Sequence, residues 1–116
     1  MSSAKKIENK KVYIAGPMSG LPDFNFPAFD RAAEMLAERG LEPMNPAEIG
    51  RRWIAENGNR QPSQGEYNAL LIEGLKMLRK CGRVYLLRGW ERSNGARGEV
   101  SYALILGIDL ELEVAQ

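Results

Sequence analysis

Short β-favouring runs alternate with helical patterns along this sequence, and no other feature restricts its fold as much. Val12-Tyr13-Ile14-Ala15, Leu41 to Asn45, Val84 to Leu87 and Ile108 to Val114 are the strand candidates. Between the first two, Phe29, Ala33 and Leu36 recur at i, i+4 and i+7 with Ala32 and Ala37 beside them, the apolar stripe of an amphipathic helix. Leu70, Leu71, Leu75 and Leu78 mark a helix before the third strand, and Val100 to Leu106 one before the fourth. Strands linked through helices run parallel, with the helices lying on the sheet faces. The expected architecture is a single doubly wound three-layer α/β domain. Its sheet would be mostly parallel, with four to five strands, Rossmann- or flavodoxin-like in class.

Boundaries follow from the breaking residues. Met1 to Lys10, four of the ten charged, reads as a polar arm, which leaves 11–116 as the domain. Gly16-Pro17 stops the first strand; Asn25 is the expected N-cap of the first helix, with Pro27 in its first turn and Gly40 at its end. Ile49 to Ile54 reads as a short helix, Asn57 to Gly65 and Gly89 to Gly98 as loops, and Gly82 and Gly107 as helix stops. Ile108 to Val114 alternates apolar and acidic residues, as an exposed edge strand does.

Composition then removes whole classes of function. With 116 residues, 44% of them hydrophobic, the chain supports one core without staples. Lys plus Arg is 16 and Asp plus Glu is 15, so neither a nucleic-acid partner nor a membrane partner is expected. Histidine is absent, which excludes Ser-His-Asp triads, Cys-His dyads and His-ligated zinc. Cys81 is the only cysteine, so no intramolecular disulfide or cysteine metal cluster forms. No metal and no cofactor are expected, and the chemistry is left to carboxylates, Tyr, Ser, Lys, Arg and backbone amides. No apolar stretch approaches the ~18 residues of a membrane helix, and Met1 to Lys11 is polar, so a soluble, cytoplasmic protein is expected.

Ligands of doubly wound sheets bind beyond the carboxyl ends of the strands, and two unusual loops fall there. In Gly16-Pro17-Met18-Ser19-Gly20 the glycines would let backbone approach a ligand, and the amides with Ser19 would hold an anion; a plain turn looks the same. Gly89-Trp90-Glu91-Arg92-Ser93-Asn94-Gly95-Ala96-Arg97-Gly98-Glu99 opens into a helix whose N-terminus suits a phosphate. Glu99 would lie near that first turn, at the cleft mouth, where the helix dipole favours the ionised carboxylate that a nucleophile requires. The bland alternative makes it a helix-stabilising acid and Trp90 a half-buried ring. Tyr13 either bonds a carboxylate or fills the core. The methionines read as gap-fillers, Cys81 as structural and Arg51-Arg52 as a solvated face. Trp53, Ile54 and the 57–65 loop are not accounted for by one core, so a homodimer or higher homo-oligomer is expected, a neighbour closing each cleft.

Lys11-Val-Tyr-Ile-Ala-Gly-Pro-Met-Ser-Gly20, Asn25-Phe-Pro-Ala-Phe29 and Gly89 to Glu99 together resemble the nucleoside 2-deoxyribosyltransferase-like family, most closely a small branch common in phage and bacterial genomes. The likeness spans Lys11 to Gly107. It implies cleavage or exchange of the N-glycosidic bond of deoxynucleosides or their 5′-monophosphates, through a covalent glutamyl-sugar intermediate. By position Glu99 would be the nucleophile and Tyr13 would orient it. Ser93 stands six residues before Glu99, where nucleoside transferases carry an aspartate; a hydroxyl there donates to a 5′-phosphate that a carboxylate would repel. A small-molecule nucleotide is therefore the implied substrate, held by Gly16 to Gly20 with Trp90, Ser93, Asn94, Gly95 and Arg97. The family aspartate that protonates the departing base falls on Gly74, with Glu73 alongside as the rival donor, and the aspartate before the strand is replaced by Gly82. On this likeness Gly74→Asp would speed base release. The alternative is a nucleotide-binding module with little or no catalysis.

Overall fold

The computed structural model describes residues 9–114 of the 116-residue chain; of the polar arm read over 1–10, all but Asn9 and Lys10 lies outside the described residues. In chain order the elements are β1 (Lys11–Ala15), α1 (Phe26–Glu38), β2 (Glu42–Met44), α2 (Ala47–Asn57), α3 (Gln64–Leu78), β3 (Arg83–Leu86), α4 (Asn94–Leu106) and β4 (Asp109–Leu112). Short 3₁₀ turns cover Pro22–Asn25 and Trp90–Arg92.

The four strands form one sheet in the order β2-β1-β3-β4, every pair parallel. Tyr13 lies opposite both Met44 and Val84, which fixes the register at the centre. From β1 the chain winds outward to β2, returns across the sheet to β3 and continues to β4, so the doubly wound class holds.

Period-two alternation gives the central strands an apolar residue on each face. Val12, Ile14, Tyr85 and Leu87 pack on one side with Phe29 and Leu36 of α1. Tyr13, Ala15, Val84 and Leu86 pack on the other with Leu78 of α3 and Val100 and Ala103 of α4. Each fully buried Val, Leu, Ile or Phe among them contributes about 1.5–3 kcal/mol. Asp30 of α1 adds a polar clamp: it takes both guanidinium nitrogens of Arg51 on α2 and the side-chain amide of Asn45.

Several boundaries differ from the sequence reading, each for a local reason. The helix expected over Ile49 to Ile54 runs Ala47–Asn57. The loop after it is shorter than Asn57 to Gly65, because Ser63 and Glu66 form a reciprocal capping box that starts α3 at Gln64. Gly89 to Gly98 is not a loop throughout: Ser93 Oγ accepts from the Ala96 N–H at 3.1 Å and starts α4 at Asn94, despite glycines at 95 and 98. Asn25 does not cap α1 with its side chain. It sits at φ 60° and donates to the Pro17 carbonyl at 2.9 Å, closing the connection between β1 and α1 on itself. β4 is the expected edge strand, trimmed to four residues, and its Glu111 is held by Arg39 and Arg83. No helix among the described residues is long and apolar enough to cross a membrane.

Candidate active site

β1 and β3 are neighbours, and the chain leaves them towards opposite faces of the sheet, which opens a crevice beyond their carboxyl ends. A cleft of about 130 Å³ occupies that crevice. A single water needs only ~10–15 Å³ on the same measure, so the space suits a small molecule rather than an ordered solvent site. Its wall is largely apolar and carries the rings of Phe24, Phe26, Trp53 and Tyr67, and its floor carries Tyr13 and Glu99.

Glu99 is 8% exposed, one of two buried polar or charged residues among those described, and the Tyr13 hydroxyl donates to its Oε2 at 2.5 Å. Tyr13 is wholly buried on β1, pointing to the α3–α4 side, while Glu99 descends from α4. Burial raises the Glu99 carboxyl from an ordinary 4.5 to about 7, with the Tyr13 hydrogen bond pulling the other way. Desolvation, and secondly the Glu99 charge, push the Tyr13 hydroxyl well above its usual range, so its proton stays on the tyrosine oxygen.

This corrects the expectation for Glu99 in two respects. It is the sixth residue of α4 rather than a first-turn residue at the cleft mouth, and the helix dipole fades within the first turn. Desolvation wins, and the carboxyl is poised near neutrality instead of being held fully ionised.

Two glycines let α3 and α4 close around this pair. A Cβ at Gly74 would lie 2.7 Å from the Tyr13 oxygen and 3.2 Å from Glu99 Oε2. The space that a side chain at position 74 would need is therefore filled by the Tyr13–Glu99 pair. Glu73, the expected rival donor, is exposed, faces away from the cleft and pairs with Arg52 at 3.5 Å. A Cβ at Gly95 would lie 2.5 Å from the Tyr67 hydroxyl, so the second glycine admits a second tyrosine.

Of the other sequence-derived candidates, Gly16, Met18, Ser19, Ser93 and Gly95 line the cleft with Tyr13 and Glu99. Pro17, Gly20, Trp90, Asn94 and Arg97 do not. Trp90 packs against the core cluster under α4, and Arg97 is exposed, its guanidinium on Asn94 Oδ1 at 3.1 Å. Gly16 serves a close approach, but to this chain: a Cβ there would meet the Leu87 Cβ at 2.7 Å.

The aromatic wall was not foreseen as such. Phe24 reaches the cleft through three consecutive left-handed residues, Asp23, Phe24 and Asn25, at φ 52°, 51° and 60°. Such backbone costs about 1–3 kcal/mol per residue and concentrates at functional sites. Its ring lies 5.7 Å from that of Phe26. Trp53 and Ile54 line this chain's own cleft, with the Arg60 guanidinium 4.8 Å over the Trp53 ring, so neither requires a neighbouring subunit to account for it. Tyr67 carried one sequence signal: it stands seven residues before Gly74, on the same helical face.

Residues 10–112 match the family model described as a domain of unknown function, DUF4406. The chain belongs to the DUF4406 family. No curated protein matches this DUF4406 domain in sequence. Among solved structures it is similar to a 2-deoxyribosyltransferase from Leishmania mexicana, with a TM-score of 0.61 and 21% identity over 89% of this chain and 63% of that one. It is also similar to a 2-deoxyribosyltransferase from Bacillus psychrosaccharolyticus, with a TM-score of 0.62 and 16% identity over 91% of this chain and 77% of that one. The DUF4406 domain thus has the nucleoside 2-deoxyribosyltransferase-like fold, and it spans less than two-thirds of the length of the Leishmania protein.

Proposed function

We propose that this DUF4406 domain cleaves, or transfers from, the N-glycosidic bond of deoxynucleoside 5′-monophosphates. The observation that carries the reading is the buried Glu99 held by the Tyr13 hydroxyl on the floor of an aromatic-walled cleft. Glu99, once ionised, attacks the anomeric carbon, and water or a second base then releases the sugar from the glutamyl ester, the two-displacement route of retaining glycosidases. The flat rings of Phe24, Phe26 and Trp53 suit a planar base. Ser93 caps α4 with its oxygen lone pair, which leaves its O–H and the early α4 amides to meet the phosphate. The reading needs no metal or cofactor, and the fold shared with 2-deoxyribosyltransferases supports it.

A nucleotide-binding module without turnover is the second reading. It is favoured by one observation: Glu99 is the only carboxylate lining the cleft among the described residues. Base release from a panel of deoxynucleoside monophosphates and nucleosides separates the two. Monophosphates cleaved in preference to nucleosides support the enzyme, whereas tight binding with no released base supports the module.

We propose a symmetric dimer as well, on a different surface from the cleft. Leu104, Ile105 and Leu106 at the end of α4, with Leu112 and Val114 at the β4 edge, are exposed apolar side chains that a second copy would cover. A monomer by sedimentation at micromolar concentration would refute it.

A further inference from the structure

Retaining glycosidases ordinarily set a second acid opposite the nucleophile, and this cleft holds one carboxylate among the described residues. Three candidates for the missing proton donor fail on position. Glu73 is exposed and paired with Arg52 outside the cleft; Gly74 has no side chain; Tyr13 spends its proton on Glu99. Tyr67 remains. It lines the cleft from α3, its ring is half-buried, and its hydroxyl rests on Gly95 in the first turn of α4. Among the described residues that hydroxyl has no hydrogen-bond partner, unlike the Tyr13 hydroxyl. Burial, and secondly the Glu99 charge, keep its proton bound at neutral pH.

We infer that Tyr67 is the general acid that protonates the departing base, which rests on the enzyme reading above. In the first step a Glu99 oxygen bonds to the anomeric carbon as the carbon–nitrogen bond breaks; the bond's electron pair goes to the base nitrogen, which takes the Tyr67 proton. The products are the glutamyl-sugar ester, the neutral base and the Tyr67 phenolate. In the second step water attacks the anomeric carbon and gives its proton to the phenolate. Glu99 leaves as carboxylate, and both residues return to their starting state. The packing explains why a glycine stands at 95 inside a helix, where glycine is unfavourable: a Cβ there would lie 2.5 Å from the hydroxyl.

The test compares wild type with Tyr67→Phe on two monophosphates, deoxyguanosine 5′-monophosphate and its N7-methyl form. The N7-methylated base leaves as a neutral molecule and needs no proton. The inference expects Tyr67→Phe to slow release of ordinary guanine by about 10²-fold or more, the usual size of general acid catalysis, and release of N7-methylguanine by less than about threefold. A thermal melt matching wild type shows the fold intact. Equal loss on both substrates, or no loss on either, overturns the role of Tyr67 while leaving the enzyme reading standing. Failure of wild type to release either base removes the enzyme reading and this inference together.

Discussion

Replacing Glu99 with glutamine removes a charge that the fold holds at a cost, and the cost can be worked out. The carboxyl titrates near 4.5 in the unfolded chain and at about 7 in the folded protein, mainly because it is buried. Below pH 4.5 it is protonated in both states and contributes no pH dependence. Between those values the unfolded chain releases the proton that the folded state keeps, so stability falls as pH rises, by up to about 1.36 kcal/mol per pH unit. Above pH 7 the penalty is complete, at about 3 kcal/mol. Glutamine occupies nearly the same volume and can still accept the Tyr13 hydroxyl. Glu99→Gln is therefore expected to match wild type at pH 4 and to be more stable by about 3 kcal/mol at pH 8, while losing turnover. Urea unfolding of both proteins at pH 4, 5.5, 7 and 8 measures the difference directly. Parallel stability curves across that range would show that Glu99 titrates normally, and would refute the desolvation argument whatever the variant's activity.

Tyr13→Phe removes the hydrogen bond that holds the Glu99 carboxyl down, so the rise of kcat/KM with pH should move from about 7 to higher pH; a profile that stays in place would separate the two groups functionally. Ser93→Ala should cost about 1 kcal/mol in melting experiments through loss of the α4 cap. It should also weaken a deoxynucleoside monophosphate by about 1.5–3 kcal/mol in calorimetry while hardly changing the free nucleoside; equal losses would remove Ser93 from phosphate recognition. Gly74→Asp places its Cβ 2.7 Å from the Tyr13 oxygen, so it should destabilise by about 1–3 kcal/mol and slow base release. Faster release, as the family pattern alone implies, would contradict the packing described here.

The sheet was legible because its central strands are apolar on both faces and separated by helical stripes; Tyr13 and Glu99 were singled out by the family resemblance, since local patterning left their core and helix-stabilising readings open. Two kinds of feature were not. Distances between α3 and α4 depend on glycines that local patterning treats as breaks, so Gly95 read as loop and Gly74 as a lost acid. Both are instead contact points for tyrosine hydroxyls. The ionisation of Glu99 was also misread, because burial depth comes from tertiary packing while the dipole can be guessed from the sequence; the larger effect was the invisible one. Phe24 stands just before the expected N-cap Asn25 with no reading of its own, and Trp53 lies in the expected short helix. Phe24 reaches the cleft only through the left-handed turn at Asp23 to Asn25, and Trp53 through the packing of α2 beside it.

On the proposed route Glu99 bonds covalently to the sugar. Rapid quenching during turnover of a deoxynucleoside monophosphate, followed by mass spectrometry of the digested protein, tests it most directly. A sugar-phosphate adduct is expected on Glu99 in wild type and none in Glu99→Gln, whose base release is abolished. Contradiction would be an unmodified Glu99 together with Glu99→Gln retaining more than about a tenth of the wild-type rate, a barrier change under ~1.4 kcal/mol.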